Sequence, residues 1–269
     1  MRSFTFLGTG TSVGVPMIGC DCKVCNSDNP RNHRFRCAGL IKLPNGNILI
    51  DTPPELRLQL LRAKVGAIHS VLFTHYHADH LHGLDDLRPI QHLLGQPVPL
   101  YCAEDVEDRI RSAFSYAFET VKPGKSKTYV PKLSFERINT SPVNVLGEMV
   151  TPVPLVHGNF DVLGFRIKTM AYCTDVNHIP ETSMELLQGL DVLVLDALRH
   201  KPHPAHFNLE QALEACSKLK CAGWGLSRNA SRIRMSNPCN SSMLVSVMWF
   251  TSVQYAMAFI LKPKTSKFP

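Results

Sequence analysis

The sequence predicts an α/β layered fold built as one domain, and three observations carry that expectation. Seven short apolar segments rich in β-branched residues, each bounded by Gly, Pro, Asn or Asp, read as strands. Three longer segments with apolar residues spaced three and four apart read as amphipathic helices. The two kinds alternate along the chain, the pattern of helices layered on sheet. A chain of 269 residues is long enough to bury a substantial core. It contains no internal repeat or low-complexity linker, and its composition does not shift before about residue 221.

In chain order, SFTFLG is the first strand and runs into the glycine-rich loop LGTGTS, followed by a cysteine-rich loop, GCDCKVC. AGLIKL and NILIDT are the next two strands, the second ending in Asp51. PELRLQLLRAKV is a helix, and SVLFTH a strand that feeds directly into HYHADH. VPLYCA is a strand, AEDVEDRIRSAFSYAF a helix, GFRIKT and DVLVLDA strands, and LEQALEACSKL the last helix.

The stretch THYHADH packs three imidazoles and a carboxylate into seven residues immediately after a buried strand, where an α/β scaffold presents its chemistry. His75 and His77, two apart, can converge from an extended loop, while the adjacent Asp79 and His80 can face a second ion. That spacing suits two metals better than one, and the order H-x-H-x-D-H weighs against a loop that is merely histidine-rich. His82 and His92 each stand alone and read as solvent-exposed or core-satisfied imidazoles. A bridged pair of divalent ions lowers the pKa of a water between them, which makes hydrolysis the natural chemistry. Imidazole and carboxylate donors suit zinc, manganese or iron without choosing among them.

Cys20, Cys22 and Cys25 form a C-x-C-x-x-C trio, a zinc-type thiolate arrangement that supplies three of the four ligands of a tetrahedral site. The alternative is three unligated thiols. Cys37, Cys102, Cys173 and Cys216 lie in or beside apolar segments and read as core. The N-terminus, MRSFTFLGTGTS, has no basic segment followed by an apolar core of the signal-peptide kind, so a cytoplasmic location is expected. Nine cysteines in that compartment are not expected to pair as disulfides.

HYHADH resembles the metallo-β-lactamase superfamily motif. That resemblance implies an αββα sandwich and gives roles to residues elsewhere. Asp51 is similar to the aspartate that orients the histidine loop, His157 in PLVHGN to a ligand of the first metal, and Asp175 in AYCTD to the carboxylate bridging both ions. The combination of LGTGTS, the cysteine trio and THYHADH is similar to the cyclic phosphodiesterase branch of that superfamily, over about residues 3 to 221. Membership of that branch implies two active-site metals (zinc or manganese), a structural zinc on Cys20, Cys22 and Cys25, a small phosphate-ester substrate and a homodimer. It makes His206 in AHFNLEQAL a candidate proton donor to the leaving oxygen, acting beside Asp79 at the reacting centre.

The family continues with a T-H-x-S-H type motif supplying the last ligand of the second metal and of the structural zinc, but this chain has no histidine after His206. Residues 222–269 therefore form an anomalous C-terminal segment, and two readings stand. Either both ligands are lost, or about Ala222 to Val253 is an out-of-frame product, with YAMAFILK (255–262) resembling the family's final strand. The net charge of +7 belongs to this region: after Glu214 there is no acidic residue, whereas residues 1 to 214 hold 21 basic against 22 acidic groups. An excess confined to one terminal segment argues against a nucleic-acid-binding face, and no apolar run approaches the roughly 20 residues of a membrane helix. The function expected is a metal-dependent phosphodiesterase. A tRNA 3′-processing type endonuclease and a metal-deficient, non-catalytic member are the alternatives.

Overall fold

A computed structural model of the protein describes residues 2–119 and 130–219, together with the backbone of two short strands at 232–235 and 258–259. The first sheet contains β1 (Arg2–Gly8), β2 (Ala38–Leu43), β3 (Gly46–Ile50), β4 (Ser70–Leu72), β5 (Val98–Cys102) and β6 (Leu133–Arg137). The second contains β7 (Val143–Val145), β8 (Glu148–His157), β9 (Phe160–Ile167), β10 (Met170–Cys173) and β11 (Val192–Asp196). β12 (Arg232–Met235) lies against β1, and β13 (Ala258–Phe259) against β11. Both fall in the segment set apart above, the rest of which lies outside the described residues. The helices are α1 (Leu56–Arg62), α2 (Ala78–Leu81), α3 (Leu87–Leu94), α4 (Glu104–Ala113), α5 (Ser115–Phe118), α6 (Glu181–Leu186) and α7 (Leu209–Lys218). Among the described residues no helix is long and apolar enough to cross a membrane.

The period-two alternation of strands divides the apolar residues into three layers. Phe4, Ile41, Ile48, Ile50 and Leu72 point from the first sheet into the middle layer, where they meet Val150, Phe165, Ile167, Tyr172 and Val194 of the second. The opposite face of the first sheet, with Leu40, Leu49, Val71 and Leu100, is covered by α1, α3 and α4 through Leu56, Leu60, Ile90, Val106 and Ile110. The outer face of the second sheet, with Leu155, Ala171, Leu193 and Leu195, is covered by α6 and α7 through Leu187, Ala212 and Cys216. Helix, sheet, sheet, helix is thus the order of layers. Strands buried on both faces read as continuous apolar runs, which is why DVLVLDA is so legible.

Of the described elements that the sequence does not predict, five have identifiable reasons. β8 contains Pro152 and Pro154, and proline normally argues against a strand interior. Here β7 pairs only as far as Val150. The N–H of Val156 points away from β9, to the His178 carbonyl at 3.0 Å, so by alternation the two prolines turn their missing donors to the same unladdered side. α3 carries Pro89 in its first turn, where no N–H is required, and ends on Gly95 in the left-handed region (φ 68°). β6, β7 and β10 are too short and too mixed in character to stand out. The predicted helix over 103–118 is two helices, interrupted at Phe114 (φ −118°, ψ 39°). α7 is stopped at its start by a capping box, Asn208 accepting from the Gln211 N–H at 2.8 Å while Gln211 Oε1 accepts from the Asn208 N–H at 3.0 Å.

The topology gathers chain ends at one edge. β1, β3 and β4 run in one direction, as do β8, β10 and β11, by the pairing of each with its neighbours. Their C-terminal ends deliver Thr9–Ser12, Asp51, the histidine loop, His157, Asp175 and Asp196, in the position where α/β sheets present ligand sites.

Phe165, 1% exposed in the layer between the sheets, is the most direct probe of this packing. Its truncation to Ala is expected to cost about 3–5 kcal/mol of unfolding free energy, read from the shift of a urea denaturation midpoint.

Candidate metal centre

Asp51 follows β3 with a left-handed backbone (φ 62°), a conformation that Asp tolerates better than most residues. Its side chain is wholly buried. Oδ1 accepts the Thr74 N–H at 2.8 Å, and Oδ2 accepts both the Thr74 hydroxyl and His80 Nδ1–H at 2.8 Å. The adjoining Thr52 N–H donates to the His80 carbonyl at 2.7 Å, so the strand end clamps the histidine loop through side chain and backbone together.

These bonds fix tautomers. The Thr74 hydroxyl, having donated to Asp51, accepts from His75 Nδ1–H at 3.0 Å. His157 Nδ1–H donates to the Ala205 carbonyl at 2.6 Å. His75, His80 and His157 therefore each turn Nε2 toward a common centre, as ligand histidines do when an outer partner holds the other nitrogen. There Asp175, also left-handed (φ 51°), brings Oδ2 to 3.3 Å from His80 Nε2, 3.8 Å from His75 Nε2 and 3.9 Å from His157 Nε2. Thr174 donates its hydroxyl to Asp175 Oδ1 at 3.0 Å. Asp79 Oδ2 lies 3.3 Å from His80 Nε2.

Three overlapping groups of donor atoms, each within 4.8 Å of one another, result: His75, His77 and His157; His75, His80 and Asp175; His157, Asp175 and His206. The chemistry of this donor set fits a divalent metal. So does one orphan, since the buried Nε2 of His75 has no hydrogen-bond partner, a state costly for a polar atom unless a ligand engages it. Burial, together with the neighbouring His80, holds the His75 imidazole well below its ordinary pKa, and burial with His157 lowers His77. Burial also pulls down on His80, but Asp175, Asp79 and Asp51 outweigh it and hold His80 well above the ordinary value. For Asp175, burial is outweighed by His80 and His75, which keep the carboxylate ionised.

Sequence reading missed the remaining parts. Asp196, ending β11 as Asp51 ends β3, accepts from His206 Nδ1–H at 2.6 Å and from the Val176 N–H at 3.2 Å. A strand-terminal Asp after an apolar run was the available signal. The segment 199–208 closes over the site as a tied loop: Leu198 N–H donates to the Phe207 carbonyl at 2.9 Å, Leu209 N–H to that of Arg199 at 3.0 Å, and the Arg199 guanidinium to the Lys201 and Pro202 carbonyls at 3.1 and 2.6 Å. Its tip carries His203 and His206. Both line a cavity whose other walls include Thr11, Ser12, Asp79 and Asp175. Cys37 lines this cavity too. It is therefore not the core residue the sequence suggested, because the strand it precedes begins only at Ala38 and its thiol is drawn to the Gly10 carbonyl at 3.3 Å. Cys102, Cys173 and Cys216 are buried, and His82 and His92 are exposed and belong to none of the donor groups.

Cys20, Cys22 and Cys25 bring their sulfurs within 4.8 Å of one another, and among the described residues this group has three members. The Met17 and Cys25 N–H groups each donate to a sulfur of the trio at 3.4 Å, and Val15, Val24 and Met17 pack around it.

Residues 46–223 match the beta-lactamase superfamily domain, and the chain belongs to that superfamily; its two sheets flanked by helices are the metallo-β-lactamase-like fold. Within the superfamily it is similar to a diphosphatase of the PhnP family, with 40% identity, a TM-score of 0.75, and 83% of this chain and 85% of that one covered. It is also 36% identical over 217 residues, 79% of its length, to an octanoyltransferase of Porphyromonas gingivalis (strain ATCC BAA-308 / W83), of which it spans 43%. The short form of human tRNase Z shares the fold at 16% identity, with a TM-score of 0.58 over 81% of this chain and 89% of that one.

Two outcomes follow for metal loading. Asp51→Ala, which frees His80 and the histidine loop, is expected to weaken divalent-metal affinity about 10- to 100-fold, measured by competition with a chelating dye. His80, protonated in the metal-free chain, must lose that proton to offer Nε2, whereas His75 and His77 are already neutral. Affinity therefore rises with pH, by about tenfold per unit below the raised pKa of His80. Calorimetry in two buffers of different ionisation enthalpy is expected to detect release of the His80 proton, at most about one per chain, on loading of the ion that takes His80 Nε2.

Proposed function

We propose that this chain is a metal-dependent phosphodiesterase acting on a small phosphate ester. The observation that carries the reading is Asp175 Oδ2, which lies 3.3 to 3.9 Å from three inward-turned imidazoles in a cavity shared with a carboxylate-held His206. A carboxylate between two donor groups suits a bridged pair of ions, one held by His75, His77 and His157 and the other by Asp79 and His80. Two divalent ions bound there, zinc or manganese, would supply an activated water and neutralise the phosphoryl oxygens. The diphosphatase relative, 40% identical over most of both chains, supports chemistry at phosphorus. The trio Cys20, Cys22 and Cys25 would hold a structural zinc, which a reducing compartment such as the cytoplasm preserves.

The protein's own residues then have definable tasks. Asp51 and Thr74 hold the histidine loop at the strand ends, so that the ligand nitrogens need not be ordered when ions arrive. Burial pulls the His206 pKa down, but the Asp196 carboxylate outweighs it and raises it above the ordinary value. An imidazolium on this wall can give its Nε2 proton to the leaving oxygen as the ester bond breaks. Thr11 and Ser12, on the same cavity, offer hydroxyls to the non-reacting part of the ester.

Hydrolysis of bis(p-nitrophenyl) phosphate and of a nucleoside–sugar diphosphate by the metal-loaded protein tests the reading, and loss of the first with retention of the second would move the substrate class to phosphoanhydrides. His77→Ala and Asp175→Asn are expected to abolish the activity and His92→Ala to leave it nearly unchanged. His206→Ala is expected to cost about 10²- to 10⁴-fold in kcat on esters with poor leaving groups, with a smaller loss on p-nitrophenyl esters, whose leaving oxygen needs less protonation. Because no histidine follows His206, elemental analysis is expected to find fewer than three tightly held ions per chain.

A further inference from the structure

His203 stands in HPAH at the tip of the tied loop, three residues before His206, with its ring centroid 5.0 Å from that of His206 and its side chain on the wall of the same cavity. Its Nδ1 receives the Ala205 N–H at 3.2 Å. A backbone amide can only donate, so Nδ1 is the bare nitrogen and the ring's proton is on Nε2. Pro202 and Pro204 on either side restrict the backbone, and Arg199 holds the Pro202 carbonyl at 2.6 Å. The ring is thereby fixed before any substrate arrives. With Nδ1 occupied by the Ala205 N–H, the ring's Nε2–H is the hydrogen-bond donor left to face the cavity.

We propose that His203 is a substrate-binding residue for the phosphate ester, donating a hydrogen bond from Nε2–H to an ester or phosphoryl oxygen on the His206 side of the cavity. This deepens the phosphodiesterase reading and rests on it. The two imidazoles of the loop divide the work: His206, held through Nδ1 by Asp196, transfers a proton, and His203, whose Nδ1 takes the Ala205 N–H, binds. Substrates with an acceptor oxygen adjoining the scissile bond on the leaving side are favoured over those without one.

Two substitutions separate binding from a structural role of the ring. His203→Asn places an amide oxygen where Nδ1 stands and keeps the bond to the N–H two residues on, a turn that Asn forms readily, but it removes the distant donor. His203→Gln does the reverse, carrying an amide N–H toward the Nε2 position and giving up the Nδ1 acceptor. With unchanged melting temperatures, H203N is expected to weaken inorganic-phosphate binding by calorimetry, and to raise KM for a diester, each about tenfold. Its kcat should stay within about threefold, and H203Q should remain within about threefold of the parent in all three quantities. If H203N matches the parent, the ring serves at most to anchor the loop, and if H203Q falls as far as H203N, the loss does not follow the Nε2 donor; either result overturns the inference while the phosphodiesterase reading stands. If the parent protein itself neither binds phosphate nor cleaves any diester, both fail together.

Discussion

Everything at the centre depends on one buried carboxylate. Asp51 accepts three hydrogen bonds, two from Thr74 and one from His80, and so joins the ends of β3 and β4 to the first turn of α2. Burial pushes this carboxyl upward, against the lowering effect of His80 and Thr74. An acceptor set so thoroughly engaged leaves the loop few ways to rearrange. The orientation of His75 is inherited from the same group, since Thr74 can accept from His75 only because its own proton goes to Asp51. The left-handed backbone at Asp51 is what turns the carboxylate off the strand axis toward the loop. A second left-handed aspartate, Asp175, performs the matching turn from the other sheet, and strain of this kind concentrates where geometry is functional.

The two sheets make that arrangement possible by their direction rather than by any one contact. The N–H of Leu163 in β9 donates to the carbonyl of Thr74 at 3.0 Å, stitching the second sheet to the root of the histidine loop. Above this stitch, His157 and Asp175 approach from β8 and β10, while His75 and His80 come from the first sheet. Packing of Phe4, Phe165 and Tyr172 between the sheets therefore sets distances within the donor cluster. Loosening the middle layer would shift one half of the ligand set against the other.

The layers were legible where strands are buried on both faces, because β2, β3 and β11 are then nearly unbroken apolar runs. β8 was illegible, because its prolines are harmless only in a strand whose neighbour stops at Val150, a fact of tertiary structure. The histidine loop could be read from its own spacing, His157 and Asp175 from the resemblance that this loop carries, and the structure brings those residues together with His206. Asp196 is signalled only by its place after an apolar run, and the partners of Asp196 and His203 by nothing in the sequence. A hydrogen bond from His206 Nδ1 to a strand end ten residues earlier, or from the Ala205 N–H to a ring two residues back, leaves no periodicity. Cys37 was misread for a related reason: it adjoins an apolar strand in sequence, yet stands one residue before it, on the turn that faces the cavity.

The loop over 199–208 couples two kinds of chemistry through one residue, Ala205, by the two peptide groups that flank its Cα. The carbonyl of Ala205 receives His157 Nδ1–H, which turns His157 Nε2 toward the donor cluster; the N–H of the same residue satisfies His203 Nδ1, which leaves the ring's proton on Nε2. Gly158, left-handed (φ 63°), lets the strand end approach this peptide, since a Cβ there would lie 3.2 Å from that of Ala205. A displacement of Ala205 would thus disturb the tautomer of His157, the ring of His203 on the cavity wall and the placement of His206 one residue on. Ligand orientation and proton supply are consequently not separable parts of this centre. That explains why so short a loop is tied at both ends, by Leu198 to Phe207 and by Arg199 to Leu209, before it reaches its tip.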